Sequence, residues 1–316
     1  MPTRATASVR LLVARAERAR RGGDLRTADR LLEDAASCGD YVPVPERVPT
    51  LQLHAVVLME LEELERAEAV LRQALVLLRR DGEPLDDRRD RLTETLTALG
   101  TVLRLQGRHR WSDRVLHAAV AVSGDPTVSA EVRLAALSAW ALVRKDGGRL
   151  GEAELLYREI LDGYTALGGP SCEGVATTCH NLAVLARARG RCGEAETWVR
   201  RSLAVRLGRH GAHDSWVVAD QLLLAAVLVG QGRAKEAEPV YRAALEVLER
   251  QHGSEHHDVA ACHSGLAACR LADGDALGGT QHLAEALRIK RALLGEDARE
   301  VAVLRQDLAA LTPVRH

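Results

Sequence analysis

The chain has 316 residues, 47% of them apolar and 28% charged, with a formal net charge of −1. That apolar share supports a packed core rather than a disordered chain, and the near-neutral balance argues against nucleic acid or an anionic membrane as the main partner. With no Phe and only four Trp and four Tyr, the core must be built from Leu, Ala and Val, which suits helices.

In chain order, helical patterns run over Thr3–Arg21 and Leu25–Ser37. Tyr41–Pro49 holds three prolines and is expected to be an extended connector, since proline breaks a helix interior. A second pair of helices follows over Arg47–Arg80, with Glu62-Glu63 where other turns have glycine. The charged stretch Arg79–Asp90 leads to a third pair, and a Gly124-Asp-Pro-Thr turn leads to the fourth. From Ala130 onward the units are regular, with second helices reaching Leu167, His210, His252 and Leu294. Asp297–Leu311 reads as one more first helix, giving fifteen helices, and is expected to cap the array.

These units repeat. Turn markers fall at Gly23, Glu62, Gly107, Gly148, Gly190, Gly232 and Gly274, spaced 39, 45, 41, 42, 42 and 42 residues apart. Seven residues before the markers stand Ala16, Ala55, Gly100, Ala141, Ala183, Ala225 and Ala267. Five after them stand Ala28, Ala67, Ser112, Ala153, Ala195, Ala237 and Gly279. Twelve after them stand Ala35, Ala74, Ala119, Ile160, Ser202, Ala244 and Ala286, so all but one of these positions is small. Small side chains belong where two helices cross closely, and a period of this length means stacked supersecondary units.

The pattern resembles the tetratricopeptide repeat family. The 42-residue period and the linkers beginning at Gly211, Gly253 and Gly295 look like its kinesin-light-chain-like subset, as do Ala176–Ala183 and Gly190–Glu196. The resemblance implies an all-α, right-handed superhelical solenoid of seven helical hairpins plus the terminal helix. As a single domain over residues 1–316, its repeats fall at about 3–39, 47–80, 87–123, 127–168, 171–210, 214–252 and 256–294, with the capping helix at 297–311. It also implies a scaffold that binds a protein or peptide in a concave groove lined by the first helices.

Three residues before the markers, Arg104, Lys145 and Arg187 form a cation series that could hold carboxylates; pairing with neighbours such as Glu94 and Asp146 is the alternative. His180 and Asn181 are placed in the same groove, where they could bond a peptide backbone. Further along, the groove is expected to turn apolar: Ala219, Leu222, Leu223, Ala226 and Val229, then Ala261, Ser264, Gly265, Ala268 and Leu271. Such a wall suits an amphipathic helix, unless the terminal helix already buries it.

His210, His213, His252, His256, His257 and His263 cluster in and beside the linkers without metal-ligand spacing, so no metal is expected, nor any other cofactor. No nucleotide-binding or nucleophile motif appears, and the chain is read as non-enzymatic. With no signal peptide or apolar run long enough to span a membrane, a cytoplasmic setting with six free thiols is expected. A ligand- or peptide-responsive regulator, and a biosynthetic accessory or enzyme housing substrate in the apolar groove, stand as the alternative functions.

Overall fold

A computed structural model describes residues 4–38, 42–79, 88–212 and 214–311. Among them are fifteen α-helices and no strand, so the protein is an all-α solenoid of helical hairpins. It divides into two compact units, Met1–Gly163 and Tyr164–His316. The first holds α1 (Arg4–Arg21), α2 (Leu25–Ser37), α3 (Val44–Glu60), α4 (Leu64–Arg79), α5 (Arg88–Leu105), α6 (His109–Ser123) and α7 (Ala130–Asp146). The division falls within α8 (Leu150–Gly168). The second unit holds α9 (Glu173–Ala188), α10 (Cys192–His210), α11 (Ser215–Gly230), α12 (Ala234–His252), α13 (His257–Ala272), α14 (Ala276–Leu294) and α15 (Arg299–Leu311).

The repeat signature is a packing signature. Every one of the small-residue positions seven before, five after and twelve after the markers is buried. Within a hairpin, the position five after the marker meets the one seven before it: Ser112 Oγ donates to the Gly100 carbonyl at 2.6 Å. The position twelve after meets the one fourteen before, where Ser202 Oγ donates to the Ala176 carbonyl at 2.9 Å. Gly100 itself has no room for a side chain, since a Cβ there would lie 2.4 Å from Leu116.

The turns need left-handed backbone. All six marker glycines have φ between 72° and 81°, a region that costs other residues a Cβ clash. Glu62 holds φ 62° without being glycine.

A second recurring device is a carboxylate six residues after the marker that grips the next hairpin. Glu68 takes Arg108 at 2.8 Å and Gln106 at 3.1 Å. Asp113 takes Arg144 and Arg149, both at 2.9 Å. In the second unit Glu196 takes Arg233 at 2.8 Å and Gln231 at 3.0 Å. These bonds, with Arg200 and Arg233 alongside, hold the Glu196 carboxyl down to about 2.

The prolines of 43–49 do not form an extended connector. Pro43 is the N-cap of α3, with φ −60° and ψ 150°, and the helix starts at Val44. Pro45 falls in the first turn, where its missing N–H would be unpaired anyway. Pro49 is inside the helix and sacrifices one backbone bond, while Thr50 Oγ1 ties the same turn by donating to the Glu46 carbonyl at 2.7 Å. The charged stretch Arg79–Asp90 lies largely outside the described residues, except that Arg88 caps α4 by donating to the Leu78 carbonyl at 2.9 Å.

Candidate functional site

The expected cations have different surroundings. In the first unit, Arg104 is turned to Asp146 at 3.3 Å, and Lys145 is half-buried. In the second unit, Arg187 is exposed and makes no ion pair among the described residues. Its charge lies near enough to Tyr241 to offset part of the rise that burial imposes on that phenol.

His180 sits above a buried network. Its Nδ1 lies 2.7 Å from Asp220 of the next hairpin. The other Asp220 oxygen accepts from Ser202 at 2.6 Å and lies 3.1 Å from Arg206. His180 is thereby committed to holding two hairpins together, and Asn181 beside it is half-buried.

The apolar wall is present, with a different membership from that expected. Leu222, Ala226, Ala261, Ser264 and Gly265 line an open cleft of about 550 Å³ between α11, α13 and α15. Leu223 does not face it: at 8% exposure it belongs to the core cluster around α11 and α12. Leu271 instead packs over Gly279 in its own hairpin. Rather than burying the wall, α15 forms its far side with Arg299, Glu300, Val303 and Leu304. That side is pinned by Lys290, which is buried, 2.5 Å from Glu300 and 2.9 Å from the ring nitrogens of His257.

At the floor of the cleft lies Tyr241. It is 5% exposed, and its hydroxyl makes no hydrogen bond among the described residues. Its ring end lies where a Cβ on Gly265 would be, 2.2 Å away. Gly265 is thus what lets a phenol reach the cleft between two helices, and a Gly paired with Tyr in adjacent repeats was the available signal. Tyr241 lines the cleft, so an occupant can supply its hydroxyl with a hydrogen-bond partner.

The linker histidines are structural in kind. His256 is the N-cap of α13, accepting from the Asp258 N–H at 3.2 Å, and stacks on His252 at 4.4 Å. His210 lies 3.1 Å from Glu173, while His213 lies outside the described residues. His263 and His282 bring their Nδ1 atoms to hydrogen-bonding distance, 3.0 Å apart. Among the described residues one trio, Asp29, Glu33 and His54, brings its ligand atoms within 4.8 Å of one another. A cation there would have to displace the Arg66 guanidinium, which holds Asp29 at 3.0 and 3.1 Å and Glu33 at 2.5 Å. The six cysteines are free thiols, and among the described residues no helix is long and apolar enough to cross a membrane.

The tetratricopeptide repeat family model matches residues 132–207 and 219–277. No curated protein matches the sequence. Among solved structures, BtubC (BKLC) from P. vanneervenii is similar over 75% of this chain and 94% of its own, with 20% identity and a TM-score of 0.62. The nearly identical repeats of a Podosopora anserina kinesin light chain match 65% of this chain and 98% of theirs, at 20% identity and TM-score 0.55. Aspartyl phosphate phosphatase F from Bacillus subtilis matches 92% of this chain and 72% of its own, at 10% identity and TM-score 0.70. At these identities the likeness is one of fold.

Proposed function

From its membership of the tetratricopeptide repeat family, and hence its nature as a protein-interaction scaffold, we propose that the chain binds a peptide segment of a partner protein in the cleft of its second unit. The observation that carries this is the combination at one place of an apolar wall, a floor of small residues and a tyrosine whose hydroxyl has no partner among the described residues. Leu222, Val303 and Leu304 offer the wall, and Ala226, Ala261 and Gly265 let a backbone approach closely. Tyr241 supplies one directional contact. A few convergent polar groups in a mainly apolar cleft are the usual make-up of a specific site, and an amphipathic segment matches it. We propose no catalytic role, and we place the protein in the cytoplasm, a setting that suits its six free thiols.

Display of random peptides against the full chain, followed by titration of the selected peptides, tests this. Selected sequences should share an apolar anchor, and Val303→Glu should weaken them at least tenfold. Val303 is 49% exposed, so the change leaves the core intact. Selection of peptides that bind Val303→Glu unchanged would place the site elsewhere.

A further inference from the structure

Neighbouring hairpins are joined by an ion pair that recurs at one register. Arginine stands three residues before the marker at Arg20, Arg104 and Arg187. Two residues before the following marker stand Glu60, Asp146 and Gly230, respectively. In the first unit both arginines reach across to that carboxylate: Arg20 lies 2.7 Å from Glu60, and Arg104 3.3 Å from Asp146. In the second unit Gly230 offers no carboxylate, and Arg187 is exposed and makes no ion pair among the described residues. The surroundings repeat as well. Nine residues after the following marker stand Tyr157, for Arg104, and Tyr241, for Arg187. Burial raises both phenols, and each arginine offsets part of the rise at its own tyrosine. At Tyr157 the Asp146 carboxylate opposes Arg104. The same arrangement of arginine and tyrosine is thus built twice, once with an internal carboxylate and once with glycine in its place.

We propose that Arg187 receives an acidic side chain of the peptide whose apolar anchor fills the cleft, in the place that Glu60 takes at Arg20 and Asp146 takes at Arg104. This rests on the peptide-binding reading of the cleft. Tyr241 lines that cleft and lies within the field of Arg187, so anchor and acid fall on one segment. The chain itself shows which group fits: at both paired arginines it is a side-chain carboxylate, which matches the forked donors of a guanidinium. The charge of the cleft agrees. Lys290 and Glu300 neutralise one another at 2.5 Å, which leaves Arg299 on the lining and Arg187 beside it as the uncompensated charges. Gly230 keeps the space at Arg187 clear of any side chain of its own. A Cβ there would meet Cys192 Sγ at 3.1 Å and nothing else close by.

A random-peptide library fused through its C-terminus, and so without free carboxyl ends, can be selected against the full chain and against Gly230→Asp. The wild-type pool should carry Asp or Glu at a fixed distance from its apolar anchor. Gly230→Asp supplies that carboxylate from within, so its pool should keep the anchor and lose the acid. Gly230→Ala, which places the same Cβ beside Cys192 without a charge, should keep both. For one acidic peptide of the wild-type pool, replacing its acid by the amide should weaken binding about three- to fivefold, the size of an exposed ion pair. The same replacement should change nothing for Arg187→Ala, whose side chain is exposed and whose fold is therefore kept. Peptides that are lost on Val303→Glu yet show no acid preference would overturn this proposal and leave the cleft reading standing. So would an acid whose removal costs as much in Arg187→Ala as in the wild type. A pool indifferent to Val303→Glu would instead remove the cleft reading, and this proposal with it.

Discussion

The Arg206 guanidinium lies 3.1 Å from the Asp220 carboxylate, and the two side chains are 1% and 0% exposed. They join α10 to α11, and Arg206 reaches on to Glu173 of α9 at 3.1 Å and stacks over Trp216. A buried pair of this kind gives little net stability over an apolar pair, but removing one partner strands a charge. Asp220→Ala should therefore cost about 3–5 kcal/mol in urea unfolding. Arg206→Met combined with Asp220→Leu should cost clearly less than Asp220→Ala alone, and a double variant as unstable as the single would refute the stranded-charge account.

Glu62 occupies a turn that six glycines occupy elsewhere, at φ 62°. The left-handed conformation costs a non-glycine residue about 1 kcal/mol, part of which glycine returns as extra freedom in the unfolded chain. Glu62→Gly should raise stability by roughly 0.5–1 kcal/mol. A lower melting temperature would show that Glu62 makes contacts that outweigh its backbone strain.

His263 and His282 face one another between α13 and α14, with Glu249, Glu285 and Glu238 and with Arg242, Arg270 and Arg288 around them. Burial lowers both imidazoles below 6.5, and for His282 the neighbouring His263 adds to it. The unfolded chain thus takes up protons first, so stability contributed by the neutral pair is present above pH of about 6.5 and falls as the pH drops through and below it. His282→Gln should flatten the pH dependence of the melting temperature between pH 7 and 5. An unchanged profile would assign acid lability to other groups.

Much of this fold was legible. The period, the turn markers and the small residues at three offsets gave all fifteen helices to within a few residues, because close helix crossings leave a mark on composition that any reader of the sequence can count. The α3 prolines misled, since a rule about helix interiors says little of a first turn, where the N–H is unpaired. The Glu68–Arg108 and Glu196–Arg233 grips join residues 40 and 37 apart, and nothing local distinguishes such a carboxylate from a solvated one. Face assignment was the weakest step. Adjacent helical residues point about 100° apart, so Leu222 lines the cleft while Leu223 sits in the core.

The cleft and the cation series make opposing predictions for binding of a selected peptide. If charge governs, Arg187→Ala should cost about tenfold or more, and binding should fall with salt, because exposed charges are screened over about 10 Å at 0.1 M. Arg104→Ala should matter less, since its guanidinium is already turned to Asp146 and an exposed pair of this sort is worth under about 1 kcal/mol. If the apolar wall governs, Ala261→Glu and Val303→Glu should abolish binding with little dependence on salt. Tyr241→Phe should then cost about 0.5–1.5 kcal/mol, the net worth of one hydrogen bond, with no loss of stability because the hydroxyl has no partner in the free chain. Leu223→Glu cannot serve as the test, because a charge placed in that core would unfold the hairpin. Calorimetric titration at two salt concentrations separates the cases. The cleft residues carry the larger expected effect, because Leu222, Val303 and Leu304 offer apolar surface that an occupant would remove from water, whereas Arg187 is exposed and already solvated. A tenfold loss on Arg187→Ala with Val303→Glu silent would reverse that order and place the peptide outside the cleft.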